Sequence, residues 1–280
     1  MPSLPVIEPR DVRHAKNAPD GGAFDEGTIA PGNYPLEDAY YDYLVRLGDD
    51  SLILGQRLSE WCGHAPGLEV DLSLANLALD LIGQATHLLN KANNDDGDEL
   101  AFHRDGLDYK NCWLVEQPNG DFARTIARQL LFSTYQHLLY RELADSPDPF
   151  LSGLAAKAVK EVSYHRELAA DWTIRLGDGT DESARRMAEG LDWCWRFIPE
   201  LFEVDAVMEE LIARQCVPDP RGFESEYKAA ILGVLAEAKL DPPADQRPIL
   251  GGRRGHHSEH LGHLLAVMQH IPRTYPDAKW

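Results

Sequence analysis

Apolar residues recur at steps of three and four from Pro35 almost to the end of the chain and rarely alternate. That period is helical, because 3.6 residues per turn bring positions i, i+3, i+4 and i+7 onto one face. The pattern predicts a first helix over residues 36–62, stopped by GHAPG, and a second reaching residue 92, capped by Asp71 and closed by NNDDGD. A shorter helix is expected over 99–115, a third long one over 121–143 and a fourth over 148–176, the last ended by the glycine-rich GDGTD. Two or three further helices fall between residues 182 and 239, and PPADQRP reads as a linker to a last helix over 257–269. No run of strands and no short repeat breaks this order, so the fold class is all-α: a four-helix bundle with additional C-terminal helices. Residues 1–34, rich in Pro, Gly and Asp, carry no sustained period and read as a flexible N-terminal tail, leaving 35–280 as one helical domain.

The four long helices invite comparison with bundles that hold two metals. Those use one Glu from each of two helices and a Glu-x-x-His pair from each of the other two. Here ALDLIGQATHLL puts Leu81 and Gln84 where such a pair belongs. AVKEVSYHRELA keeps His165 but has Val162 three residues before it. Between Asp121 and Glu142 the third helix contains no Asp or Glu. Leu81, Gln84, Val162 and His165 are therefore degenerate metal-site positions, because a two-iron centre needs several anionic oxygens.

On the fourth helix Ala158, Val162, His165, Ala169 and Trp172 form the inward stripe, and Glu161 falls with the charged flank. His165 then reads as a core histidine bonded to a neighbour rather than a ligand. The second helix is apolar nearly all round, which predicts burial between other helices, and its polar residues share one stripe. Two readings of Asp80, Gln84 and His87 stay open. They form a hydrogen-bonded seam inside the bundle, or, with His165, an unusual Asp/Gln/His site that would make the chain an independent metalloenzyme.

Charge and composition narrow the classes. With 46 acidic and 27 basic residues, a formal charge of −19 opposes nucleic-acid and anionic-membrane partners. Cys62, Cys112, Cys194 and Cys216 are scattered and fit reduced thiols in a cytoplasmic protein. No apolar run is long enough to span a membrane, and no phosphate-binding loop, dinucleotide fingerprint or nucleophile elbow is present. In GGRRGHHSEHLGHLL the histidines recur at helical spacing, but HHSEHLGH is not HExxH, so no metal is assigned there. That segment, through His257, Glu259 and His260, and the aromatic run containing Trp193, Trp195 and Phe197 are the expected contacts with a partner protein.

The stretches RLGDDSLILGQRLSEWCGHAPGLEVDLSLANLALDLIGQA, LVEQPNGDFARTIARQ, AKAVKEVSYH and GHHSEHLG resemble the PaaC family, the structural subunits of bacterial phenylacetyl-CoA 1,2-epoxidase. They lie between residues 44 and 269; the tail falls outside. The resemblance implies a ferritin-like fold, no cofactor in this chain and a non-catalytic role in phenylacetate catabolism beside a homologous di-iron catalytic subunit. It also implies a further small subunit and a separate reductase using NADPH, FAD and an iron–sulfur cluster. The complex it implies is a monooxygenase that adds one oxygen atom from O2 across the aromatic ring of phenylacetyl-CoA.

Overall fold

The computed structural model describes residues 35–276 and 278, so the tail expected over 1–34 lies outside the described residues. The helices, in chain order, are α1 (Leu36–Ser59), α2 (Leu68–Ala92), α3 (Gly97–Phe102), α4 (Trp113–Glu116), α5 (Phe122–Leu143), α6 (Pro149–Gly177), α7 (Asp181–Trp195), α8 (Ile198–Leu201), α9 (Ala206–Ala213), α10 (Glu224–Glu237), α11 (Glu259–Met268) and α12 (His270–Thr274). Short 3₁₀ turns lie at Gly106–Asp108, Pro220–Phe223 and Gly252–Arg254. No strand occurs among the described residues. The long helices α1, α2, α5 and α6 make a ferritin-like bundle from two hairpins, α1 against α2 and α5 against α6.

Helix α1 is the axis. Eighteen of its 24 residues are buried, which demands neighbours on every side; besides α2 these include α4, α9 and α11. The approach of α1 to α2 depends on Gly48 and Gly55, two turns apart and so on one face. A Cβ on Gly48 would lie 2.7 Å from Leu89 Cδ2, and one on Gly55 3.0 Å from Ile82 Cγ1. Ile53, Leu54, Leu77, Leu81 and Leu88 fill the shared core, each worth about 1.5–3 kcal/mol when fully buried. Asp121 caps α5 by accepting from Arg124 N, and Asp148 caps α6 by accepting from Leu151 N, with Pro149 opening the first turn.

The structure departs from the expected elements in three places. Helix α2 begins at Leu68, and Asp71 is not its cap. The Asp71 carboxylate instead accepts from Gly63 N at 2.7 Å and Ala65 N at 3.4 Å, closing the preceding turn. The helix expected over 99–115 is broken between α3 and α4. There Lys110 N donates to Asp49 and Cys112 N to Asp50, so these amides go to carboxylates of α1 rather than to helical carbonyls. Finally, α2 is not enclosed on all sides: Leu68, Leu72 and Leu79 are 72%, 58% and 67% exposed.

Candidate functional site

Where the four long helices converge, the interior is polar but neutral at its centre. Gln84 of α2 is the hub and is 4% exposed. Its Nε2 donates to Glu161 Oε2 of α6 at 3.1 Å. Its Oε1 accepts from Gln136 Nε2 and the Tyr140 hydroxyl of α5 at 3.2 and 3.3 Å. Burial raises the Tyr140 hydroxyl well above the usual phenol range, so it stays protonated and available as a donor. Leu81 and Val162 are fully buried and apolar. Glu161 joins the two sides: its Oε2 accepts from Gln84, while its Oε1 lies 3.6 Å from Lys157 Nζ on the charged flank.

His165 is completely buried, and its Nε2 lies 3.1 Å from Asp80 Oδ2, whose side chain is about a third exposed. His87 sits at the surface. It borders a cleft of about 340 Å³ between α2 and α6, with Gln84, Phe150, Leu154, Lys157 and Glu161. Asp80, Gln84 and His87 thus lie along one side of α2, with only Gln84 buried, and have different partners. Asp80 meets His165, Gln84 meets Glu161 and α5, and His87 faces the cleft.

These residues do not fit a two-iron centre. A carboxamide carries no charge to neutralise a metal, Leu81 and Val162 have no donor atom, and α5 presents Gln136 where an acid would be needed. The two nearby carboxylates, Asp80 and Glu161, are engaged by His165 and Gln84. No group of three or more His, Cys, Asp or Glu side chains among the described residues is arranged to hold a metal ion. What the cluster can do is tie α2 to α5 through neutral hydrogen bonds from Gln136 and Tyr140, and α2 to α6 through the Gln84–Glu161 and Asp80–His165 contacts.

A second polar centre, which the sequence did not disclose, fastens the C-terminal segment. Arg253 is 9% exposed and its Nη2 donates to Asp50 of α1 at 2.7 Å, while Nη1 donates to the carbonyls of Lys110 and Arg46. Burial opposes the charge on Arg253, but the adjacent Asp50 carboxylate outweighs it and holds the guanidinium above its usual pKa. Glu200 accepts from the backbone amides of Trp113, Gly251 and Gly252 at 2.6–2.8 Å. His257 bridges Glu116 Oε2 through Nδ1 at 2.7 Å and the Tyr109 carbonyl through Nε2 at 2.9 Å. Both ring nitrogens face acceptors, which favours the doubly protonated ring and raises its pKa above the usual value. The signals in the sequence were weak: the adjacent acids Asp49 and Asp50 of α1, and the arginines of GGRRG, which could contact an anion.

The residues expected at a partner contact are placed unequally. Phe197 is 3% exposed and stacks on Trp113, with centroids 6.2 Å apart. Trp195 is half-buried, whereas Trp193 is exposed with the Arg124 guanidinium 4.4 Å above its ring. His257 is held inside as described. The His260 carbonyl accepts from Arg57, and Glu259 is exposed. No helix among the described residues is long and apolar enough to cross a membrane.

Two comparisons bear on these sites. A family model described as phenylacetic acid catabolic protein matches residues 32–280. The chain is also 45% identical over 242 residues to a subunit of the 1,2-phenylacetyl-CoA epoxidase of Escherichia coli (strain K12), covering 85% of this chain and 98% of that relative.

Proposed function

Because the chain belongs to the phenylacetic acid catabolic protein family, we propose that it is the non-catalytic structural subunit of a multicomponent oxygenase that epoxidises the ring of phenylacetyl-CoA. In this reading it acts in the cytoplasm, in phenylacetate degradation, and stabilises a homologous subunit that carries the di-iron centre. A further small subunit and a reductase using NADPH, FAD and an iron–sulfur cluster complete the system. The observation that carries the reading is the Gln84–Gln136–Tyr140 cluster, with Leu81 and Val162, at the place where a catalytic bundle would need several acids; Glu161 is the one carboxylate bonded to it. Fold and site are separable, so a bundle that lacks its metal donors retains the packing surfaces through which it supports another chain. The alternative of an independent metalloenzyme would need Asp80, Gln84, His87 and His165 together; Asp80 meets His165, but Gln84 and His87 have other partners or face the cleft.

The test is co-expression with the homologous subunit. The two chains should co-purify, and the pair supplied with reductase and O2 should epoxidise phenylacetyl-CoA, while this chain alone should not. Turnover by this chain alone would overturn the reading.

A further inference from the structure

On α2 the positions Leu68, Leu72, Asn76, Leu79, Gly83, Thr86 and Asn90 fall within an arc of about 80° at 100° per residue, on the side away from α1. No charged residue lies in that arc, in a chain with 46 acidic and 27 basic side chains. Single exposed leucines need no explanation; three on one helical line, each more than half exposed and interrupted only by the uncharged Asn76, form an apolar patch. Gly83 adds to it. A Cβ there would meet nothing within 4 Å, so no packing inside this chain requires a glycine. Glycine in a helix interior costs about 1 kcal/mol relative to alanine, and what it offers here is bare backbone on which another helix can lie closely. The neighbouring α6 is locked to α2 in register by Asp80–His165 and Gln84–Glu161, and carries Tyr164, 47% exposed.

We propose that this face of α2, with the adjoining edge of α6, is the surface on which the homologous helical subunit docks, through an uncharged, apolar helix face of its own. The inference rests on the functional reading above and adds to it the place and chemistry of the contact. The leucines span roughly 17 Å, and the uncharged arc as a whole runs roughly 33 Å along the helix. With the edge of α6, at helix spacings of about 10 Å, it offers on the order of 600–700 Å², close to the roughly 800 Å² per partner of a stable interface. Residues 1–34, with five prolines and eight charged side chains, are a poor match for so long an uncharged face. A second copy of this chain would bring another formal charge of −19, which opposes self-association.

The experiment uses the full chain co-expressed with its homologous subunit. Leu72→Glu and Leu79→Glu change exposed side chains, so thermal melts should match the wild type, while affinity for the partner should fall at least about thirtyfold. Leu232→Glu, at an exposed leucine on α10, should leave affinity unchanged. Carbene footprinting should label Leu72 and Leu79 in the free chain and lose that labelling in the pair. Unchanged affinity of folded Leu72→Glu and Leu79→Glu variants, with a stable wild-type pair, would overturn the assignment of this face and leave the functional reading standing. Protection in the free monomer would assign the face to the chain's own tail, and protection in a homodimer to a second copy; either overturns the proposal. Failure of the wild-type chains to associate at all would overturn the functional reading together with it.

Discussion

Replacing Arg253 with Met tests whether the C-terminal segment belongs to the core. The side chain is nearly buried, ion-paired to a fully buried Asp50 at 2.7 Å, and donates to the carbonyls of Lys110 and Arg46. Methionine fills much of the same volume but leaves the Asp50 carboxylate with only the backbone amide and the thiol of Cys112. Breaking a buried pair from one side costs about 3–5 kcal/mol, because the other charge stays buried without its partner. That is a large part of the 5–15 kcal/mol typical of a domain, and corresponds to a drop in Tm on the order of 10 °C for a chain of this size. Urea denaturation of Arg253→Met, Asp50→Asn and the double variant would supply the magnitude and the coupling. The double variant should be more stable than Arg253→Met alone, since it removes the uncompensated carboxylate. An Arg253→Met chain within about 1 kcal/mol of wild type would refute the reasoning and return the segment to the surface, where its sequence had suggested a partner contact.

Stability should also depend on pH through His257. Burial pulls its pKa down, but the Glu116 carboxylate and the Tyr109 carbonyl outweigh this and lift it above the usual value. A raised folded-state pKa gives stability that is complete below about pH 6.5, the unfolded value, and is lost as pH rises through the folded value. Melts between about pH 6 and 9 should therefore show a decline that His257→Gln removes; an identical profile in the variant would refute the assignment. Gln84→Leu should lower stability by about 1–3 kcal/mol, since Gln136, Tyr140 and Glu161 each lose a partner. It should leave turnover by the assembled complex unchanged, and a folded, assembled but inactive Gln84→Leu complex would count against a structural role. Gly252→Ala should be strongly destabilising in urea titrations, because its Cβ would lie 2.3 Å from the Asn111 carbonyl, a backbone atom that cannot swing away; a stability equal to wild type would be the contrary result.

The long helices were legible because α1, α2, α5 and α6 keep an unbroken period, and because Asp121 and Asp148 stand where caps belong. What sequence could not convey was which surfaces have neighbours. The all-round apolarity of α2 suggested enclosure, yet three of its leucines face outward, since periodicity reports hydrophobicity and not what covers it. The break between α3 and α4 was hidden because the groups that claim its amides, Asp49 and Asp50, lie about sixty residues upstream. Asp50 and Arg253 are 203 residues apart, and nothing local marks them as a pair. Leu81, Gln84 and Val162 could be singled out by comparison with a known ligand pattern. Gln136, an ordinary glutamine until the register of α5 is known, could not. Glu161 pairs with Lys157 on the charged flank as expected, but its contact with Gln84 was not legible, because helical angle locates Cβ and not the end of a flexible carboxylate.

The most direct test of the account is the iron content of this chain purified alone after anaerobic incubation with Fe(II), read by metal analysis together with Mössbauer spectroscopy. The neutral network at Gln84, Gln136 and Tyr140 predicts no stoichiometric iron and no di-iron signature, with the metal appearing only when the homologous subunit is present. About two tightly held irons per chain, with the spectrum of a coupled pair, would contradict it.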